Sequence, residues 1–359
     1  MKKILCYIDS MQMGGAQRVM ANLTKHFAEK NISVLLVNDI VPINGIPEYE
    51  IDKNVRRLFL DQDSQRTKGI HKNINRILSL RKLVKKENPD IVLSFIGPPN
   101  IRMLVATIGL KTGKYVSVRN DPYREYGNGI KKIIANLIFN LCDGCVFQTE
   151  DAANFFNKKI RTKSKIILNP VRQEFFEIDR VPEEERIVMV GRLNSQKNYP
   201  MAIKAFSKLA STYPKAQLHI FGDGELREEL TAQIDQLGLS ERIILEGRIS
   251  NVASVLANAT IYMLTSDYEG MPNSLMEAMA VGVPSIATNC PCGGVKSLIN
   301  DEQNGIMVRC GDVEDLCEKL SILLEDKNKR LVMSRKAREE SRKFETSKIL
   351  SQWDEYLGL

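Results

Sequence analysis

No apolar run in this chain of 359 residues reaches the ~18–20 residues that a membrane-spanning helix needs. Aromatic residues make up only 6% of it, and the Lys/Arg clusters are not interleaved with them. Stacking on bases is therefore poorly supported, which argues against a nucleic-acid partner. No repeat or low-complexity tract stands out, and 13 Pro and 22 Gly are ordinary amounts, so disordered and fibrous classes are excluded. Seven cysteines are an odd set, too sparse for a stapled secreted fold. Met1-Lys2-Lys3 resembles the start of a signal peptide, but Asp9 interrupts the apolar stretch and no small-residue cleavage site follows. That stretch reads as a first strand, and a reducing, cytoplasmic compartment is expected. Cys142-x-x-Cys145 and Cys290-x-Cys292 have the spacing of zinc ligand pairs. However, the first pair lies in the apolar passage IFNLCDGCVF, and His26, His71 and His219 fall in unrelated segments. No metal is expected.

The composition that is present, 43% hydrophobic and 26% charged, is that of a soluble globular chain with ample core. At roughly 100–200 residues per domain, two domains are expected. The net charge of +7 hides an asymmetry: residues 1–168 carry 28 Lys and Arg against 15 Asp and Glu, or +13, and residues 169–359 carry −6. The basic half suits an anionic partner such as phosphates, a membrane surface or nucleic acid; a solvated surface accounts for it equally well.

Apolar runs alternate with helical periodicity along nearly the whole chain, the pattern of parallel α/β architecture. KILCYI, ISVLLV, IVLSFI, KYVSV and GCVFQ read as strands of the first half, with helices near 15–29, 70–87, 98–109 and 129–141. A strand closes at Pro170, and RQEFFEIDRVPEEER is the linker candidate. RIVMVG, AQLHIFG, RIILEG, IYMLTS and VPSIAT begin a second series. Two Rossmann-like, doubly wound domains facing across a cleft are expected, over 1–168 and 169–340. Residues 341–359 form a C-terminal helix that caps the second domain or crosses back to the first.

Four loops carry candidate chemistry. Gly14 and Gly15 open a helix after the first strand, where backbone can approach a phosphate closely; a plain tight turn is the simpler reading. Gly191-Arg192-Leu193-Asn194-Ser195-Gln196-Lys197-Asn198 places an Arg fork and a Lys point charge at a strand end, suited to a diphosphate. Phe221-Gly222-Asp223-Gly224 makes a second tight turn on that rim. Asp267-Tyr268-Glu269-Gly270-Met271-Pro272-Asn273-Ser274-Leu275-Met276-Glu277-Ala278-Met279-Ala280 sets two carboxylates, Glu269 and Glu277, around a helix start. There, free N–H groups can hold phosphate oxygens while carboxylates accept from sugar hydroxyls. The spacing by itself is weak evidence, since 26 Glu give on the order of two such pairs by chance. Glu177 and Glu185 are another; what distinguishes 269 and 277 is the strand-to-helix turn between them.

With these motifs in order, together with LEGRI, the chain resembles the retaining glycosyltransferases of family 4, which have the GT-B fold. The resemblance implies a hexose or N-acetylhexosamine moved from a nucleotide diphosphate sugar, UDP-linked by expectation, to a glycan or polyprenyl-diphosphate-linked acceptor in capsule or other surface polysaccharide synthesis. Arg192 and Lys197 would hold the diphosphate, and Glu269 would meet the hexose. The backbone from Gly270 through Met271, Pro272, Asn273 and Ser274 to Leu275 would surround sugar and phosphate. Glu277 would hold the ribose, Arg248 and Ile249 would contact the base, and Gly15 would approach the phosphate. No cofactor or metal is implied. Many relatives have a His where this chain has Arg119; nearby Asp121 either touches the acceptor or pairs with Arg119. A sugar-nucleotide epimerase of the same fold is the competing enzyme class.

Two stretches, Arg66 to Lys86 and Ile130 to Ile138, combine isoleucines at helical spacing with Lys and Arg. They suggest peripheral binding to an anionic membrane. Helices of an α/β fold normally pack their apolar faces on their own sheet, so adsorption by charge without deep insertion is expected.

Overall fold

The computed structural model describes residues 1–12, 14–61 and 70–359, with only the backbone of Ile70. The chain forms two compact units, Met1–Leu168 with Leu350–Leu359, and Asn169–Ile349.

The first unit is built on seven parallel strands: β1 (Lys3–Ile8), β2 (Ser33–Ile40), β3 (Arg56–Asp61), β4 (Ile91–Phe95), β5 (Gly113–Ser117), β6 (Gly144–Phe147) and β7 (Ser164–Ile166), in the order β3-β2-β1-β4-β5-β6-β7. The second holds six, also parallel: β8 (Arg186–Val190), β9 (Gln217–Phe221), β10 (Ile243–Gly247), β11 (Ile261–Leu264), β12 (Ser285–Thr288) and β13 (Ile306–Val308), in the order β10-β9-β8-β11-β12-β13. Central strands of such sheets are covered on both faces, so they are continuously apolar; Ile4 to Ile8 of β1 are fully buried. The strand order reverses between β1 and β4 and between β8 and β11. In each sheet this leaves a crevice at the strand C-termini where loops from adjacent strands diverge. This is the doubly wound α/β class expected from the sequence.

The segment expected as a linker is packed. Its short helix Glu174–Glu177 buries Phe175 and Phe176, and Arg338 Nη2 donates to the Phe176 carbonyl at 2.7 Å. At the C-terminus, Val171 N–H donates to Phe344 O at 2.9 Å within the second unit. From Leu350 onward the chain belongs to the first unit. There Trp353 is fully buried and stacks on Phe95 at 5.7 Å, while the Cys145 N–H donates to Tyr356 Oη at 2.8 Å.

The two suggested membrane stretches correct the packing expectation. Arg66 and Lys68 lie outside the described residues. The helix Ile70–Glu87 buries Leu80 and Val84 but exposes Ile74 and Leu78. The helix Ile130–Phe139 buries only Ala135 and Phe139, so its isoleucine face points away from its own core.

Candidate active site

In the second unit, Gly191 follows β8 and donates its N–H to Phe221 O at 2.9 Å, Gly222 donates to Gly247 O at 2.8 Å, and Leu193 donates to Asp223 O at 3.0 Å. The loops after β8, β9 and β10 thus form one continuous rim. Gly222 has φ +146°, and a Cβ there would lie 1.8 Å from Gly191 O, so only glycine permits this approach. Arg248 stands on the rim with Nε 3.4 Å from Asp223 Oδ2; Ile249 beside it is half-buried.

The loop after β11 is stitched to the loop after β8. Asp267 N–H donates to Gln196 O at 2.9 Å, Gln196 Nε2 to Tyr268 O at 2.9 Å, and Thr265 Oγ1 to Lys197 O at 2.9 Å. Asn198 takes the left-handed conformation (φ 44°) and caps the helix Tyr199–Leu209 through its side chain, while its Nδ2 donates to Asp267 Oδ1 at 2.8 Å. A left-handed Asn with a local side-chain bond is a tolerated turn.

Held in this way, Lys197 Nζ donates to Glu269 Oε1 at 2.5 Å, and Ser266 Oγ donates to the same oxygen at 2.8 Å. Glu269 is 7% exposed, so the contact is a charge-assisted bond shielded from water. Arg192 is exposed and forms no ion pair with any described residue. Its charge remains available to a ligand.

Gly270, Met271 and Pro272 lead into the helix Asn273–Val281, which begins without a side-chain cap. Its first N–H groups therefore sit uncapped at the positive end of the helix dipole. Ser274 Oγ accepts from Tyr262 Oη at 2.6 Å, Asn273 Oδ1 accepts from Asn169 Nδ2 at 2.7 Å, and Leu275 is fully buried as the anchor of this turn. Glu277 lies in the second turn, 5% exposed. Burial raises the Tyr262 phenol pKa, and both Glu269 and Glu277 raise it further. Gly294 closes the back of the loop, where a Cβ would lie 2.0 Å from Gly270 O.

At the strand C-termini of the first unit, the uncapped helix Gly15–Glu29 starts at Gly14, with Gly15 exposed; Met13 lies outside the described residues. Arg119 stacks over Phe95 at 4.2 Å and Trp353 at 5.5 Å, and burial lowers its guanidinium pKa to about 9. Its charge persists at neutral pH. Asp121 caps the helix Pro122–Tyr126, accepting from Tyr123 N at 2.9 Å, with Arg124 Nε at 3.9 Å. This capping role stands beside the two sequence alternatives.

Glu125 of that helix rests against Gly97, and burial pushes its carboxyl up to about 7. The folded state then holds a proton that the unfolded state releases near pH 4.5, so stability falls as pH rises from about 4.5 to about 7. Glu125→Gln is expected to gain on the order of 1–3 kcal/mol relative to wild type between pH 4 and pH 8. Urea unfolding at both pH values checks this. An equal difference at the two would contradict it.

The structure brings Arg192, Lys197, Gly222, Arg248, Glu269, Gly270 and Glu277 to one strand edge of the second unit. It places Gly14, Gly15, Arg119 and Asp121 at the corresponding edge of the first. Sequence reasoning did not single out Ser266 or Gly294, and it quoted Asn198 and Asp267 within their motifs without assigning them a role in orienting the Glu269 loop. Ser266, three residues before Glu269, was the findable one.

The chain matches the model described as Glycosyltransferase Family 4 over residues 13–175 and that described as Glycosyl transferases group 1 over residues 171–340. It is 28% identical, over 98% of its length and 97% of the relative's, to a Campylobacter jejuni N-acetyl-D-galactosaminyltransferase named for a GalNAc-containing diphospho-undecaprenol substrate. A second C. jejuni enzyme, a diphospho-undecaprenol 4-alpha-N-acetylgalactosaminyltransferase, is 26% identical over 99% of this chain and 100% of its own. Among solved structures, Anabaena HepE in complex with UDP and glucose superposes with a TM-score of 0.82 at 18% identity over 100% of both chains. Sucrose-phosphate synthase from Thermosynechococcus elongatus superposes with a TM-score of 0.85 at 15% identity, over 99% of this chain and 98% of that one. The chain belongs to the glycosyltransferases, with a family 4 domain followed by a group 1 domain in a GT-B fold.

Proposed function

We propose that the protein is a retaining, metal-independent hexosyltransferase that moves a hexose or N-acetylhexosamine from a UDP-sugar to a polyprenyl-diphosphate-linked glycan at the cytoplasmic face of a membrane, in surface polysaccharide synthesis. The observation that carries this reading is the Lys197–Glu269 pair, held at 2.5 Å beside an uncapped helix N-terminus at the strand-order reversal. Arg192, Lys197 and the helix N–H groups offset the charge that grows on the UDP β-phosphate as its bond to the anomeric carbon breaks. Glu269 contacts the transferring sugar, Glu277 accepts from the ribose hydroxyls, and Arg248 with Ile249 flanks the base. The acceptor oxygen bonds to the same face of the anomeric carbon, and its proton passes to the departing phosphate oxygen. Arg119 is assigned to the acceptor side. The relatives named for undecaprenol-linked substrates support the acceptor class, and the UDP complex of HepE supports the nucleotide.

A panel of UDP- and GDP-sugars tested by thermal denaturation checks the donor assignment. At a hundredfold excess over Kd, the cognate UDP-sugar should add about 2.7 kcal/mol of apparent stability, and Arg192→Ala should remove most of that gain. A shift with GDP-sugars alone would overturn the nucleotide assignment; no shift with any sugar nucleotide would overturn the donor site.

A further inference from the structure

The helix Ile130–Phe139 has the sequence IKKIIANLIF, yet only Ala135 and Phe139 are buried. Ile130, Ile133, Ile134 and Leu137 are 76%, 61%, 51% and 63% exposed, and Leu141 extends the same stripe at 41%. Their spacing of i, i+3, i+4 and i+7 puts them on one face. A contiguous outward apolar face of this kind marks an interaction surface, unlike scattered single residues.

The charges around it indicate what covers it. The helix has no acidic residue, and it carries Lys131 and Lys132. Asn157 N–H donates to Asn136 Oδ1 at 2.7 Å, so the short helix Lys158–Arg161 starts beside the stripe with Lys158, Lys159 and Arg161 exposed. Tyr123, 45% exposed, lies 5.1 Å from Lys132 Nζ and presents an amphipathic ring at the same edge. An apolar stripe bordered by Lys, Arg and Tyr has the anatomy of an interfacial membrane helix. A second copy of this chain would set lysine against lysine around a two-fold axis and repel it.

We infer that the Ile130–Phe139 face inserts its isoleucines and Leu137 into an anionic bilayer, with the flanking lysines at the lipid phosphates. This rests on the reading of the acceptor as membrane-borne, and deepens it by assigning the surface that docks. Binding by insertion contains an apolar part that salt does not screen, unlike the adsorption by charge that composition suggests.

The test uses the full chain and vesicles of phosphatidylcholine with or without phosphatidylglycerol, with neither donor nor acceptor present. Its outcome is therefore independent of whether transfer occurs. The protein is expected to co-sediment with the anionic vesicles and to keep part of that binding at high salt. Ile133→Asp with Leu137→Asp should lower the bound fraction at least about tenfold at both low and high salt, with an unchanged melting temperature because both positions are exposed. Lys131→Gln with Lys132→Gln should weaken binding at low salt only. In a second measurement, Leu137→Trp adds an exposed indole to a chain whose single native tryptophan, Trp353, is fully buried. Its emission should shift to the blue on anionic vesicles and be quenched by brominated acyl chains. Complete release of the wild type by salt, wild-type binding by the Asp variant, an unmoved indole emission, or a soluble dimer that the Asp variant abolishes would each overturn the inference.

Discussion

Glu269→Ala is expected to lower turnover at least about a hundredfold with the fold intact, since one preorganised polar contact in a transition state is typically worth ~3 kcal/mol. The carboxylate is buried and fixed from two sides by Lys197 and Ser266 at 2.5 and 2.8 Å, so it does not have to reorganise as the sugar acquires charge. Removing it leaves Lys197 without its partner, but that ammonium can turn to water. The loss should therefore fall on catalysis more than on stability. Glu269→Gln keeps the shape and the Ser266 bond while deleting the charge, and should be nearly as slow. Steady-state kinetics beside a thermal melt decides it; wild-type-like turnover in either variant would remove Glu269 from the mechanism.

Lys197→Ala and Arg192→Ala should each depress kcat by about tenfold or more rather than only raise KM, because the diphosphate carries most charge as its bond breaks. The geometry separates the two in a second respect. Lys197→Ala strands the Glu269 carboxylate, 7% exposed, and an uncompensated buried charge destabilises by several kcal/mol at most. Arg192 is exposed and unpaired among the described residues, so its loss should leave the melting temperature unchanged. Equal melting temperatures for both variants would show that the Lys197–Glu269 contact contributes no stability. Changes confined to KM would show that the two cations only bind.

The parallel α/β architecture was legible because its central strands are continuous apolar runs: KILCYI and RIVMV leave no other reading at their length. β3 was missed because Arg56–Asp61 is a half-exposed edge strand, read as RRLFLD, with Arg57 paired to Glu48 at 2.7 Å. β13 has only three residues, too few for periodicity to register. Phe175 and Phe176 were hidden among Glu and Arg, so a packed turn resembled a linker. At the site, the Gly, Arg, Lys and Glu residues could be named from local spacing. That Lys197 and Glu269, 72 residues apart in sequence, meet depends on β8 pairing with β11, which no local pattern encodes. Asp121 also has a purely local role that the sequence reading did not name, capping the next helix. The isoleucine face of Ile130–Phe139 followed the general rule for helix packing in composition and departed from it in structure, and a periodic pattern does not say which way its face points.

The most direct measurement is product analysis with the purified chain, its UDP-sugar and a polyprenyl-diphosphate-linked oligosaccharide, in the presence and absence of EDTA. One glycosyl residue should be added per UDP released, with the anomeric configuration of the donor preserved by proton NMR and the rate unaffected by the chelator. Conversion of the UDP-sugar without transfer, inversion at the anomeric carbon, or loss of activity restored by Mn²⁺ or Mg²⁺ would contradict a metal-free, retaining transfer centred on Arg192, Lys197 and Glu269.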